Sequence, residues 1–131
     1  KSRSRGLGDV YKRQPLNSFA IKAGIELLSN KILYKEWTTK IHEWVNIEKN
    51  WVSNELSKIK NLKVHHSSTN FFLIESKFSL SSNIHYLEKK GILIRECNSF
   101  RFLNEKWARI SLQTRKNNKI LCREIQNSFK K

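Results

Sequence analysis

One amphipathic stretch constrains this chain more than any other. Between Leu33 and Lys60, the apolar residues Trp37, Ile41, Trp44, Val45, Trp51, Val52, Leu56 and Ile59 recur at three-four spacing. That period predicts a single helix about 40 Å long at 1.5 Å per residue. A helix of this length spans a domain, so the rest of the chain must pack along it. Its three tryptophans are read as core or interface packing.

The flanking segments supply the other elements. Pro15-Leu16-Asn17-Ser18 is a turn and cap signal, with Asn17 or Ser18 able to accept from the first free helical N–H groups. A short helix from Phe19 to Ser29 follows, with Ile21, Ile25 and Leu28 on one side and Asn30 as its stop. After Asn61, strands are expected at Val64-His65-His66 and at Thr69 to Glu75, with Ser67-Ser68 as the bend. Ser79 to Lys90 reads as a helix closed by Gly91. Ile92 to Arg95 and Trp107 to Leu112 read as strands. Thr114 or Arg115 opens a last helix with Ile120, Leu121, Ile125 and Phe129 inward. The order is α-α-β-β-α-β-β-α, an α+β arrangement within the broad α/β class, helices covering a small mixed or antiparallel sheet. No internal repeat is visible.

The chemistry concentrates in GILIRECNSFRFLNEKWARISL, residues 91–112. Each of its two apolar runs carries an arginine, Arg95 and Arg109. Alternation in the second run places Trp107, Arg109 and Ser111 on one face and Ala108, Ile110 and Leu112 on the other. A guanidinium within a strand faces either water or an anion, and its planar fork matches carboxylate or phosphate.

Other site chemistry is missing. His65 and His66 are adjacent on an expected strand and point to opposite faces, so they cannot chelate one metal. There is no Cys-x-x-Cys, no His-Glu-x-x-His and no Gly-Lys-Thr phosphate loop. Cys97 and Cys122 form no disulfide framework and fit a reducing cytosol, and Cys97 is expected to be a small buried thiol. No apolar run approaches the ~20 residues of a membrane span. The net charge of +15 favours an anionic partner. A small basic nucleic-acid-binding module, with Phe100, Phe102 and Trp107 among arginines, is therefore an alternative. Against it, the lysines are scattered, and no nucleic-acid motif is legible.

Residues 1–14, KSRSRGLGDVYKRQ, carry five basic residues and one acid and show no period. GLGDVYKRQ resembles the translated adapter read-through at the ends of metagenomic gene fragments. The segment is set apart as non-native and disordered, leaving 15–131 as the protein proper.

Within 15–131, three short motifs in order carry a resemblance: Asn-Phe-Phe-Leu at 70–73, Gly-Ile-Leu-Ile-Arg at 91–95 followed by Cys-Asn-Ser-Phe, and Ala-Arg-Ile-Ser at 108–111. With PLNSFAIKAGIELL ahead of them, the chain resembles the C-terminal part, mainly the small domain, of class I/II (fold-type I) pyridoxal phosphate enzymes. The branch is that of histidinol-phosphate aminotransferase and threonine-phosphate decarboxylase. The resemblance implies that Arg109 grips the substrate carboxylate and Arg95 its distal phosphate. It places Asn70 near the active-site wall and Asn17 at the substrate entrance. It also implies a cytoplasmic homodimer with pyridoxal 5'-phosphate as cofactor.

The family's Schiff-base lysine, phosphate loop and pyridine-pairing aspartate lie upstream of the position matching Pro15 and have no counterpart here. Leu56-Ser57-Lys58 echoes the lysine motif but falls inside the long helix. The resemblance therefore implies a truncated chain with no catalytic or cofactor-binding residue of its own and no activity alone. Whether the whole enzyme transaminates or decarboxylates depends on which bond stands perpendicular to the cofactor ring. The run 94–100 leans toward threonine-phosphate decarboxylase, an enzyme of cobalamin synthesis.

Overall fold

The computed structural model describes residues 17–130. The expectations for residues 1–14, and for the turn at Pro15-Leu16, lie outside the described residues. The chain divides into two compact units, Lys1–Lys40 and Ile41–Lys131.

In the first unit, α1 (Ser18–Ser29) begins at Asn17, whose side chain accepts from the Ala20 N–H at 2.8 Å. Asn30 ends α1 and also starts the next helix, its Oδ1 accepting from the Leu33 N–H at 3.0 Å. α2 (Lys31–Ser57) is 27 residues long, starting two residues and ending three residues earlier than its hydrophobic pattern suggests. No residue of α1 is buried.

The second unit holds the sheet. β1 (Leu62–Val64), β2 (Phe71–Ser76), β3 (Arg95–Glu96) and β4 (Trp107–Ser111) are ordered β1-β2-β4-β3, all neighbours antiparallel. α3 (Ser81–Lys89) precedes β3 and α4 (Arg115–Ser128) follows β4. The antiparallel form of the expected sheet is thus the one adopted, and the element order is the expected one.

Period-two alternation decides what each strand buries. Phe72 and Ile74 of β2, Ala108 and Ile110 of β4, and Leu112 just beyond it face the core. There they meet Val52 and Leu56 of α2, Ile84 and Leu87 of α3, and Leu121, Cys122 and Ile125 of α4. Full burial of one such side chain contributes about 1.5–3 kcal/mol. The opposite face carries Phe71, Leu73, Trp107 and Arg109, all half-buried.

Several expected boundaries shift, for local reasons. His65 and His66 lie just past β1, although the His65 N–H still donates to the Leu73 carbonyl at 2.9 Å. Ile92–Ile94 is not a strand. The N–H groups of Gly91 and Ile92 instead donate to Glu88 and Leu87, both at 2.9 Å. With Gly91 at φ 72°, this is the paired closure by which a helix satisfies its last carbonyls. The chain therefore joins β4 only at Arg95. Ile120 is 37% exposed rather than inward, and Asn118 takes the buried place on α4. Among the described residues, no helix is long and apolar enough to cross a membrane.

Candidate anion site and its relatives

The late arrival of β3 leaves a gap. Residues 91–94 stand off from the end of β4, and α4 closes the far side. The resulting cavity, of about 550 Å³, is lined by Arg95, Arg109, Ser111, Gln113 and Asn117 among others.

Arg95 and Arg109 are direct cross-strand partners. Like charges in this position repel, and each guanidinium rests on an aromatic ring. Arg95 lies 5.4 Å from the Phe100 centroid and Arg109 lies 4.8 Å from that of Phe71. Such contacts orient a cation without neutralising it. The Nε of Arg109 is buried and has no hydrogen-bond partner. A buried donor left unmatched costs about 1–3 kcal/mol, and an anion in the gap would match it.

Cys97 lies beside both arginines. Burial pushes its thiol above the ordinary range, while Arg109 and then Arg95 pull it the other way. It is buried, as expected, and its Sγ is 3.8 Å from the Arg95 carbonyl oxygen. Beyond the cavity on the open sheet face, His65 Nε2 meets Glu75 Oε2 at 2.8 Å and its ring lies 4.7 Å from that of Trp107. Among the described residues, no group of three or more His, Cys, Asp or Glu side chains could hold a metal.

Of the sequence candidates, the sheet brings Arg95 and Arg109 together. Asn70 stands one residue before Phe71, exposed, its carbonyl accepting from the Leu112 N–H at 2.8 Å. Asn17 belongs to the other unit, with its side chain engaged as the α1 cap. Sequence reading missed Glu48, Gln113 and Asn118. The signal was present: Glu48 falls one step before Val52 and Leu56 in the buried stripe of α2, where the period calls for an apolar side chain.

No protein-family profile matches the chain. Individual proteins do. A candidate threonine-phosphate decarboxylase of Caldanaerobacter subterraneus is 29% identical over 115 residues, 87% of this chain and 30% of its own length. The L-threonine-O-3-phosphate decarboxylase of Porphyromonas gingivalis superposes with a TM-score of 0.72 at 28% identity, over 88% of this chain and 35% of that one. The homologues of this chain are fold-type I pyridoxal phosphate enzymes. A histidinol-phosphate aminotransferase of Methanococcus aeolicus adds 36% identity over 63 residues, 47% of this chain and 17% of its own length. The match is to the C-terminal part of these fold-type I proteins, and the chain spans about a third of the length of the first two. The α+β fold is theirs.

The wall of this cavity does not by itself fit the cofactor of those homologues. Holding it by a Schiff base takes a lysine amine inside the site. Lys90 is the one lysine in the cavity wall, and it lies exposed at the end of α3. The cavity presents guanidinium groups, which suit the anionic ends of a substrate.

Proposed function

We propose that this chain is the substrate-gripping C-terminal part of a pyridoxal phosphate-dependent enzyme acting on a phosphorylated amino acid. The reaction proposed is decarboxylation of threonine phosphate; transamination of the histidinol-phosphate type is the second outcome to be tested. The buried, unmatched Nε of Arg109 carries the reading. A guanidinium oriented on Phe71 and lacking a partner is preorganised for a carboxylate. Arg95, its cross-strand partner, takes the phosphate. Two cations on adjacent strands suit a substrate with two anionic ends and disfavour one with a single charge. In decarboxylases and aminotransferases of this kind the bound cofactor supplies the electron sink at the α-carbon. The roles left to these residues are to bind and orient.

The lean toward decarboxylation rests on the run 94–100; coverage does not separate the two reactions, since relatives of both kinds match over 87% and 83% of this chain. The whole protein is proposed to be cytoplasmic and homodimeric, with its cofactor lysine upstream. The chain alone is proposed to be inactive.

The test is a titration of the chain with O-phospho-L-threonine, L-threonine and inorganic phosphate, followed by NMR. The doubly anionic ligand is expected to bind tightest, and Arg109→Gln to weaken it at least about tenfold, the loss of a charge-assisted hydrogen bond. Equal binding of all three, or tighter and salt-sensitive binding of single-stranded DNA, defeats the proposal. Fusing residues 15–131 behind the remainder of the Porphyromonas gingivalis enzyme and supplying O-phospho-L-threonine together with an oxo acid as amino acceptor separates the reactions: carbon dioxide release supports decarboxylation, and an oxo product formed together with the aminated acceptor supports transamination.

A further inference from the structure

We infer that Glu48, Arg115 and Asn118 form a positioning device that sets the geometry of the anion cavity; the inference rests on the function proposed above. Glu48 is 5% exposed, a carboxylate within the apolar stripe of α2. The Nε of Arg115 donates to both of its oxygens, at 2.9 and 3.1 Å, and the Arg115 guanidinium lies 4.6 Å from the Trp51 centroid. Asn118 is fully buried and donates to Glu48 Oε2 at 2.8 Å. The same amide holds the backbone of Gln113 on both sides. Its Nδ2 donates to the Gln113 carbonyl at 2.7 Å, and its Oδ1 accepts from the Gln113 N–H at 2.9 Å.

Gln113 matters because of its place. It is four residues past Arg109, where β4 has ended and α4 has not begun, and it lines the cavity with Arg109, Arg95 and Asn117. Clamping its backbone fixes the wall that runs from Arg109 to the first turn of α4. The chain of contacts thus runs from α2 through one carboxylate and one amide to the cavity. Packing alone does not require it. A buried charge and a buried amide stabilise a core less than apolar side chains of the same size would. Every polar atom of the Asn118 side chain is used, which fits a specified geometry better than a filled volume.

The experiment uses the full chain, with inorganic phosphate as probe. Two quantities are read: phosphate affinity, and the Arg109 Nε–H resonance without ligand. Glu48→Gln keeps the shape but sets an amide among donors. Arg115→Gln removes a donor from a side chain that is itself 39% exposed, so the fold survives if Glu48→Gln does not. Asn83→Ala is the control, because Asn83 joins α3 to Ser128 at the end of α4 and lines no part of the cavity. Either network variant is expected to weaken phosphate about tenfold and to move the Arg109 resonance. Asn83→Ala should lower Tm but leave both readouts in place. Network variants that behave like Asn83→Ala overturn the inference. If the unaltered chain binds no phosphate, the proposed function fails instead, and the resonance alone decides whether the network places Arg109.

Discussion

Phe102 sits at φ 70° and is 88% exposed. A side chain with a Cβ pays sterically for left-handed backbone, and an aromatic one has no local hydrogen bond in return. Asn61, at φ 68°, is a residue type that tolerates the same conformation. Among the described residues, the ring contact of Phe102 is with the Arg101 guanidinium, 4.8 Å from its centroid. Phe102→Gly should therefore stabilise the second unit by about 0.5–1 kcal/mol, after allowing for the looser unfolded chain. A higher urea midpoint at unchanged slope would show it. The two cysteines contrast with this exposed strain. Cys122 is buried in the core, and its thiol is pushed up to about 12, chiefly by burial.

Between elements, α3 and α4 are joined by a polar link at the rim of the core. Tyr86 Oη donates to Glu124 at 3.0 Å, and the Arg123 Nε donates to the other carboxylate oxygen at 3.0 Å. The hydrogen bond from Arg123, then that from Tyr86, holds the Glu124 carboxyl below its ordinary 4.5. The bond to Glu124 raises the Tyr86 phenol above 10.0. A depressed carboxyl contributes stability above its unfolded value and loses it as pH falls through the folded one. A raised phenol contributes below its unfolded value and loses it as pH climbs past the folded one. The chain should thus lose stability on acidification through the carboxylate range, and Glu124→Gln should flatten that slope. Chemical denaturation at a series of pH values between about 2.5 and 6 checks it. Equal slopes in the two proteins would remove this link from the account.

Elements also show what the sequence discloses. The helices and β4 were legible because their periods run for several turns or alternations. The same alternation put Arg109 on the face opposite Ala108 and Ile110. Ile92–Ile94 misled, because three apolar residues look alike whether they pair or close a helix. What decided the matter was the glycine ahead of them, whose helix-ending motif uses the Ile92 N–H. The cavity arises from that same competition, so it could not be read from the apolar run. Glu48 and Asn118 were legible only as interruptions of a period, and an interruption acquires meaning only once its partner, far along the chain, is in place.

At the scale of the molecule, the first unit carries much uncovered apolar surface. Phe19, Ile21, Ile25 and Leu28 of α1, with Ile32, Leu33, Tyr34 and Trp37 of α2, are all exposed. A surface of this kind drives association. The chain is expected to self-associate reversibly, and the pair Ile25→Lys with Leu28→Lys to reduce it, as read by sedimentation velocity. A wild-type chain that stays monomeric at high concentration would contradict the expectation. The second unit raises a different matter. Because Arg95 and Arg109 oppose each other across adjacent strands, an anion bound there as proposed would be ligand and folding cofactor at once. At a hundred times its dissociation constant, a species that binds only the native state adds about 2.7 kcal/mol. On that proposal phosphate in a buffer would cease to be an inert component. Melting curves recorded in phosphate and in chloride at one ionic strength describe two chemical systems, and the difference between them measures how often the gap is filled.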